Sequence, residues 1–242
     1  MIALWRDLVD LAIPRRCAGC SVPLQTRKHA LCVHCANKLP WLKTETCSLC
    51  QEVLVADPSS RCAACAALPS ALAACVASTA YSGETERWIR RFKYPSIGLS
   101  GLDPRPEAVV RYLARDAASR VDSHPPDLVV PVPLHPKRLR SRGFNPAAAL
   151  AKEVAASVGS RSAAVALRRT RDTPSQTGLD RRQRKRNIAG AFVCKQRVPR
   201  RVWLVDDVVT TGSTLMEAAQ MLRRAGAREV VAVCAARTPA PS

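Results

Sequence analysis

The chain has 242 residues, with 38 lysines and arginines against 19 acidic residues, a formal net charge of +19. Apolar residues make up 47%, too many for a wholly disordered chain, and no apolar run reaches the ~18 residues of a membrane-spanning helix. So large a positive excess points to a polyanionic partner: nucleic acid, nucleotide or phosphosugar.

The first residues, MIALWRDLVDLAIPRR, place Asp7 and Asp10 inside the one candidate apolar stretch, which makes a poor secretory signal. A cytoplasmic protein is expected, in which abundant cysteine means metal rather than disulfides. Nine of the 11 cysteines fall in residues 1–75. Eight of these form C-x-x-C pairs: Cys17/Cys20, Cys32/Cys35, Cys47/Cys50 and Cys62/Cys65. A C-x-x-C turn brings two thiolates to one ion, and two such turns close a tetrahedral structural zinc site. The segment is poor in large apolar residues, so metal binding can supply its folding energy. Two zinc ions are expected, rather than an iron–sulfur cluster or a redox pair, which would need a βαβ context. The even spacing permits sequential pairing (17/20 with 32/35, and 47/50 with 62/65) or a cross-brace. Shorter loops favour the sequential arrangement. His29 and His34 are alternative ligands, while Cys75, Cys194 and Cys234 have no partner at ligand spacing.

From residue 76 strand-like and helix-like runs alternate. VASTAY (76–81) predicts a strand and ETERWIRRFK (84–93) a helix. Residues 107–120 line Val109, Tyr112, Leu113 and Ala117 along one helical face. LVVPVPL (128–134) reads as a buried parallel strand. Asn145-Pro146 opens a helix to about Val158. Residues 168–201 hold 12 basic and 2 acidic residues, more than half of the chain's net charge. A buried strand VWLVDD (202–207), a helix over 213–225 closed by Gly226, and a last strand EVVAVCAA (229–236) follow. The expected fold is α/β: a parallel sheet with helices on both faces, over residues 76–242, preceded by a zinc-binding region over 1–75.

In such sheets ligands bind at the carboxyl ends of the strands. There the sequence reads VWLVDDVVTTGST (202–214). Asp206 and Asp207 end an apolar run, and Thr210, Thr211, Gly212, Ser213 and Thr214 open a helix. Backbone N–H groups, hydroxyls and a helix N-terminus make an anion cradle. Carboxylates beside a phosphate cradle suit a phosphorylated sugar. The plain alternative is a capped helix after an ordinary strand.

This stretch resembles the 5-phosphoribosyl-1-pyrophosphate (PRPP) motif of type I phosphoribosyltransferases. With the C-x-x-C pairs, RRFKY (90–94), PVPLHPKRLRSRGFN (131–145), RRTRDTPSQTGL (168–179) and RKRNIAGAF (184–192), the chain resembles the ComF family, also called GntX. The resemblance implies that Asp206 and Asp207 hold the ribose hydroxyls and residues 210–214 the 5-phosphate. It implies a pyrophosphate loop at 131–134, with Lys137, Arg138, Arg140 and Arg142 near the leaving group. It makes 168–187 a mobile loop over PRPP, with Arg168, Arg171, Gln176, Arg182 and Arg186 as candidates. Mg²⁺ would be held mostly by the substrate. Thr210 stands where purine-salvage relatives carry a base-assisting Asp, so the acceptor is not legible and a glutamine-dependent amidotransferase is not expected. The resemblance further implies a role in natural transformation, with single-stranded DNA and other DNA-uptake proteins as partners. A transferase without a DNA role and a non-catalytic PRPP sensor are the alternatives. Trp5, Trp41, Trp88, Phe92, Tyr94, Phe144 and Trp203 are the aromatics available for stacking a base, though helix packing is their commoner fate.

Overall fold

The computed structural model describes residues 16–24, 30–42, 47, 49, 62, 65, 70–94, 106–173 and 181–239. In chain order these hold α1 (Val33–Asn37), β1 (Ala74–Ala80), α2 (Gly83–Lys93), α3 (Pro106–Ser119), β2 (Leu128–Pro131), α4 (Pro136–Arg142) and α5 (Pro146–Ser157). There follow β3 (Arg168–Arg169), α6 (Arg181–Ile188), β4 (Phe192–Val193), β5 (Arg201–Val209), α7 (Ser213–Arg224) and β6 (Glu229–Arg237).

Four of these strands form one parallel sheet in the order β1-β6-β5-β2. β5 and β6 lie in its middle and must be apolar on both faces, which explains their nearly unbroken hydrophobic sequences. Alternation divides the core into two layers. Val129, Trp203, Val205, Val231, Val233 and Ala235 pack against Trp88, Ile89 and Phe92 of α2, with α3 and α5 beside them. Leu128, Val130, Val202, Leu204, Val230 and Ala232 face Leu215, Ala218, Ala219 and Leu222 of α7 on the other side. The expected parallel sheet with helices on both faces is therefore observed.

Two expected boundaries shift for local reasons. The strand expected over 128–134 ends at Pro131, because Pro131 and Pro133 bring no N–H to a ladder. β5 runs on to Val209, so the two aspartates lie within the paired strand: Asp206 sits opposite Cys234 and Val208 opposite Ala236. The basic stretch 168–187, expected as one mobile loop, contains β3, paired antiparallel with β4, and part of α6. Helix-favouring Arg, Gln and Lys dominate the latter.

Residues 40–42 seat on the sheet edge. Leu42 N donates to Ser78 O (3.0 Å) and Ala80 N to Pro40 O (2.8 Å), so residues 40–42 run along β1. Trp41 packs edge-on against Tyr112 of α3, its ring lies under the Arg120 guanidinium, and its Nε1 donates to Ala36 O. Covering the outer strand in this way removes an open edge. Among the described residues no helix is long and apolar enough to cross a membrane.

Candidate functional site

The cysteine pairs gather sequentially. The sulfurs of Cys17, Cys20, Cys32 and Cys35 all lie within 4.8 Å of one another, and so do those of Cys47, Cys62 and Cys65. Cys50 lies outside the described residues. Cys20 and Cys32 Sγ are 3.6 Å apart, close to the ~3.8 Å edge of a tetrahedron with 2.3 Å zinc–sulfur bonds. The Cys17–Cys20 turn is shaped for this. Gly19 N and Cys32 N both donate to Cys17 Sγ, at 3.3 and 3.2 Å. Burial opposes the Cys17 thiolate, but these backbone donors outweigh it and bring its pKa down to about 6. Gly19 has no room for a side chain: a Cβ there would meet Cys35 Sγ at 2.7 Å. A preorganised thiolate among four converging sulfurs fits structural zinc. His34 is exposed on α1 and belongs to neither cluster.

The second constellation is a cleft of about 490 Å³ at the carboxyl ends of the sheet strands. Asp206, Asp207, Thr210, Gly212, Ser213 and Thr214 form one wall, and Arg138, Arg142 and Arg169 stand in another. Tyr81 just after β1, Lys93 at the end of α2 and Thr238 just after β6 complete it. Gly212 takes φ +73°, a left-handed turn that glycine adopts freely, and caps α7. The Thr211 and Ser213 hydroxyls are 3.0 Å apart beside it. Beyond β2, Asn145 pins the loop: its Nδ2 donates to Val132 O (3.0 Å), while its Oδ1 accepts from Ala147 N to cap α5.

The electrostatics are uneven. Asp207 is 7% exposed and pairs with Lys93 Nζ at 2.9 Å. Burial works against the Lys93 ammonium, yet Asp207 and Asp206 hold its pKa above the ordinary lysine value. Burial and the charge of Asp207 push the Asp206 carboxyl up to about 7, against the opposing pull of Lys93 and Arg169. Arg169 is 8% exposed; it donates to Thr173 Oγ1 and stacks over Phe192, and its Nε has no hydrogen-bond acceptor. Burial and neighbouring Arg138 lower its pKa. Arg169 thus places a largely buried guanidinium in the lining of the cleft, a group whose chemistry suits an oxyanion.

Of the residues singled out in the sequence, the structure brings together Asp206, Asp207, Thr210, Gly212, Ser213, Thr214, Arg138 and Arg142. Arg138 Nη2 donates to Thr173 O, and Arg142 stacks on Tyr94 while donating to its hydroxyl. Arg171 is exposed and donates to Ala189 O, away from the cleft. Gln176 lies outside the described residues. Lys93, Arg169 and Tyr81 also line the cleft, and no sequence motif marks them as site residues. RRFKY was legible as a family signature, but nothing local to it marked Lys93 as the residue that meets Asp207. The aromatics are mostly committed to packing: Trp88, Phe92 and Trp203 are buried and Trp41 is packed, while Tyr94 is exposed.

Comparison with known proteins finds two family matches. Residues 113–241 match the phosphoribosyl transferase domain, and residues 8–66 match the double zinc ribbon domain. The chain belongs to the ComF family, in which a double zinc ribbon accompanies a phosphoribosyltransferase domain. It is 32% identical to Competence protein F of Haemophilus influenzae over 216 residues, 82% of this chain and 93% of that one. It is 31% identical to DNA utilization protein YhgH of Salmonella typhimurium over 234 residues, 94% of this chain and 99% of the relative. The solved glutamine phosphoribosylpyrophosphate amidotransferase of B. subtilis aligns with 60% of this chain at 21% identity and a TM-score of 0.40. This chain spans 30% of that protein's length.

Proposed function

We propose that the cleft binds PRPP with Mg²⁺ and that the protein uses this site in natural transformation, handling incoming single-stranded DNA in the cytoplasm. One observation carries the ligand: two adjacent carboxylates lead into the positive-φ turn that starts α7, and three arginines share the same cleft. Asp206 and Asp207 accept hydrogen bonds from the ribose hydroxyls and oppose the positive charge that develops at the anomeric carbon. Residues 210–214 take the 5-phosphate at the helix N-terminus. Arg138, Arg142 and Arg169 face the pyrophosphate, with Arg171 and Gln176 on the stretch that would close over it. Mg²⁺ would be held mostly by the substrate and water, with few protein ligands. Residues 1–75 form the zinc unit, with sulfurs of Cys17, Cys20, Cys32 and Cys35 on one ion and Cys47, Cys50, Cys62 and Cys65 on the other. Residues 76–242 form the phosphoribosyl unit.

The DNA role draws support from the names of the relatives, a competence protein and a DNA utilization protein, and from the net charge of +19. Other DNA-uptake proteins are partners on the same grounds. Thr210 favours a second reading, since no carboxylate stands there to assist an acceptor base: a PRPP sensor without turnover. Incubation with PRPP, Mg²⁺ and a panel of bases and amines separates the two. Pyrophosphate release with one acceptor identifies a transferase, and tight binding without release identifies a sensor. No PRPP binding at all contradicts both.

A further inference from the structure

Lys93 is the last residue of α2 and lies outside the 113–241 segment that matches the transferase domain. Its position is fixed by packing. Trp88, Ile89 and Phe92 of α2 are buried against the sheet, and Phe92 meets Phe144 edge-on at 5.7 Å between ring centres. Trp203 and Val205 of β5 share that apolar layer, and alternation carries the same face of the strand on to Asp207. The helix therefore delivers an ammonium to the carboxylate pair, with the two side chains only 23% and 10% exposed. The arginines of the cleft have other anchors: Arg138 on Thr173 O, Arg142 on Tyr94, Arg169 on Thr173 Oγ1. Among the described residues, the ion pair made by these two aspartates is the one with Lys93.

We infer that Lys93 is a positioning residue: it supplies the permanent counter-charge that lets Asp206 and Asp207 act together as acceptors for a ribose diol. This rests on reading the cleft as a phosphoribosyl site. Two adjacent, largely buried carboxylates repel, and without a nearby cation one of them takes up a proton. A protonated carboxyl presents a donor where the ribose hydroxyl needs an acceptor. The groups facing the pair are Lys93 from α2, Arg169 from β3, Tyr81 after β1 and Cys234 on β6. Lys93 has the direct contact. Burial and Asp207 already push Asp206 up to about 7, and Lys93 is the first of the opposing influences. Its removal moves that carboxyl further up.

Calorimetry of PRPP·Mg²⁺ binding to the full chain, from about pH 5.5 to 9, tests this in wild type, Lys93→Met and Lys93→Arg. In wild type the affinity rises with pH to a plateau. In Lys93→Met the midpoint of that rise moves up by about one pH unit or more, while the affinities converge at high pH. Lys93→Arg restores the midpoint. A loss equal at every pH overturns the inference, because it marks Lys93 as a direct ligand contact, and so does an unchanged profile. A ligand-free measurement separates this from failure of the cleft reading. With ¹³C-labelled aspartate, the Asp206 carboxyl titrates higher in Lys93→Met than in wild type even if PRPP does not bind. Equal midpoints in two folded proteins overturn the inference, and a thermal melt verifies the folding.

Discussion

Lys93 Nζ lies 2.9 Å from Asp207 Oδ1, so helix α2 and strand β5 meet at a cation–carboxylate contact on the rim of the cleft. The adjacent Asp206 carries the cost of that neighbourhood. Its carboxyl shares a largely buried site with a second carboxylate that already holds the lysine, and it is pushed from 3.8 to about 7. The turn at Gly212 continues the same wall, and three arginines share the cleft of about 490 Å³. The site thus keeps opposite charges close together but separately anchored.

Asp206 makes the empty protein's stability depend on pH. Between pH 3.8 and about 7 the folded chain binds more protons at this carboxyl than the unfolded chain does. Its contribution to stability therefore falls as pH rises through that window and levels off above it. Asp206→Asn removes the penalty. The variant should be more stable than wild type at pH 8 by about 1–3 kcal/mol, and not more stable near pH 4. Denaturant unfolding at both pH values measures this; an advantage equal at both would assign the effect to something other than the carboxyl charge.

Arg169→Met should weaken pyrophosphate and PRPP about tenfold or more, because it removes an oriented guanidinium. Its melting temperature should hold or rise, since among the described residues this buried charge makes no ion pair with a carboxylate and so contributes little to the fold. Unchanged pyrophosphate affinity would remove Arg169 from the site.

Gly19→Ala places a methyl group 2.7 Å from Cys35 Sγ. The first cluster should lose its ion and the second keep its own, so zinc content should drop from about two to about one per chain. Metal analysis by mass spectrometry reads the ratio. Full zinc content in the variant would show that the Cys17–Cys20 turn has more room than the structure allows, and iron in the wild type would overturn the zinc assignment.

Much of the sheet was legible because a parallel strand buried on both faces leaves an apolar run in the sequence, as in 202–205 and 230–236. The PRPP-type motif was legible because its chemistry is contiguous: carboxylates, turn and helix start occupy nine residues from Asp206 to Thr214. Lys93 and Arg169 were not, because each reaches the cleft from a separate element, and their place depends on how α2 and β3 pack. Arg169 sits between Arg168 and Arg171, two exposed arginines of the same basic stretch, and only tertiary burial sets it apart. Trp88 and Phe92, spaced for one face of a helix, went to the core, the commoner fate expected of them.

If the basic surface handles single-stranded DNA, affinity for a short oligonucleotide should fall steeply between about 50 and 200 mM salt, as condensed counterions are released on binding. Fluorescence anisotropy at several salt concentrations gives the slope. Absence of binding even at the lowest salt contradicts a direct DNA role.

The central claim concerns the carboxylate pair, and calorimetry of PRPP with Mg²⁺ addresses it most directly. Wild type should bind, and the double variant Asp206→Asn with Asp207→Asn should lose detectable binding while keeping its circular dichroism spectrum and cooperative melt. Equal affinity in the two proteins would contradict the assignment of this cleft as a phosphoribosyl site.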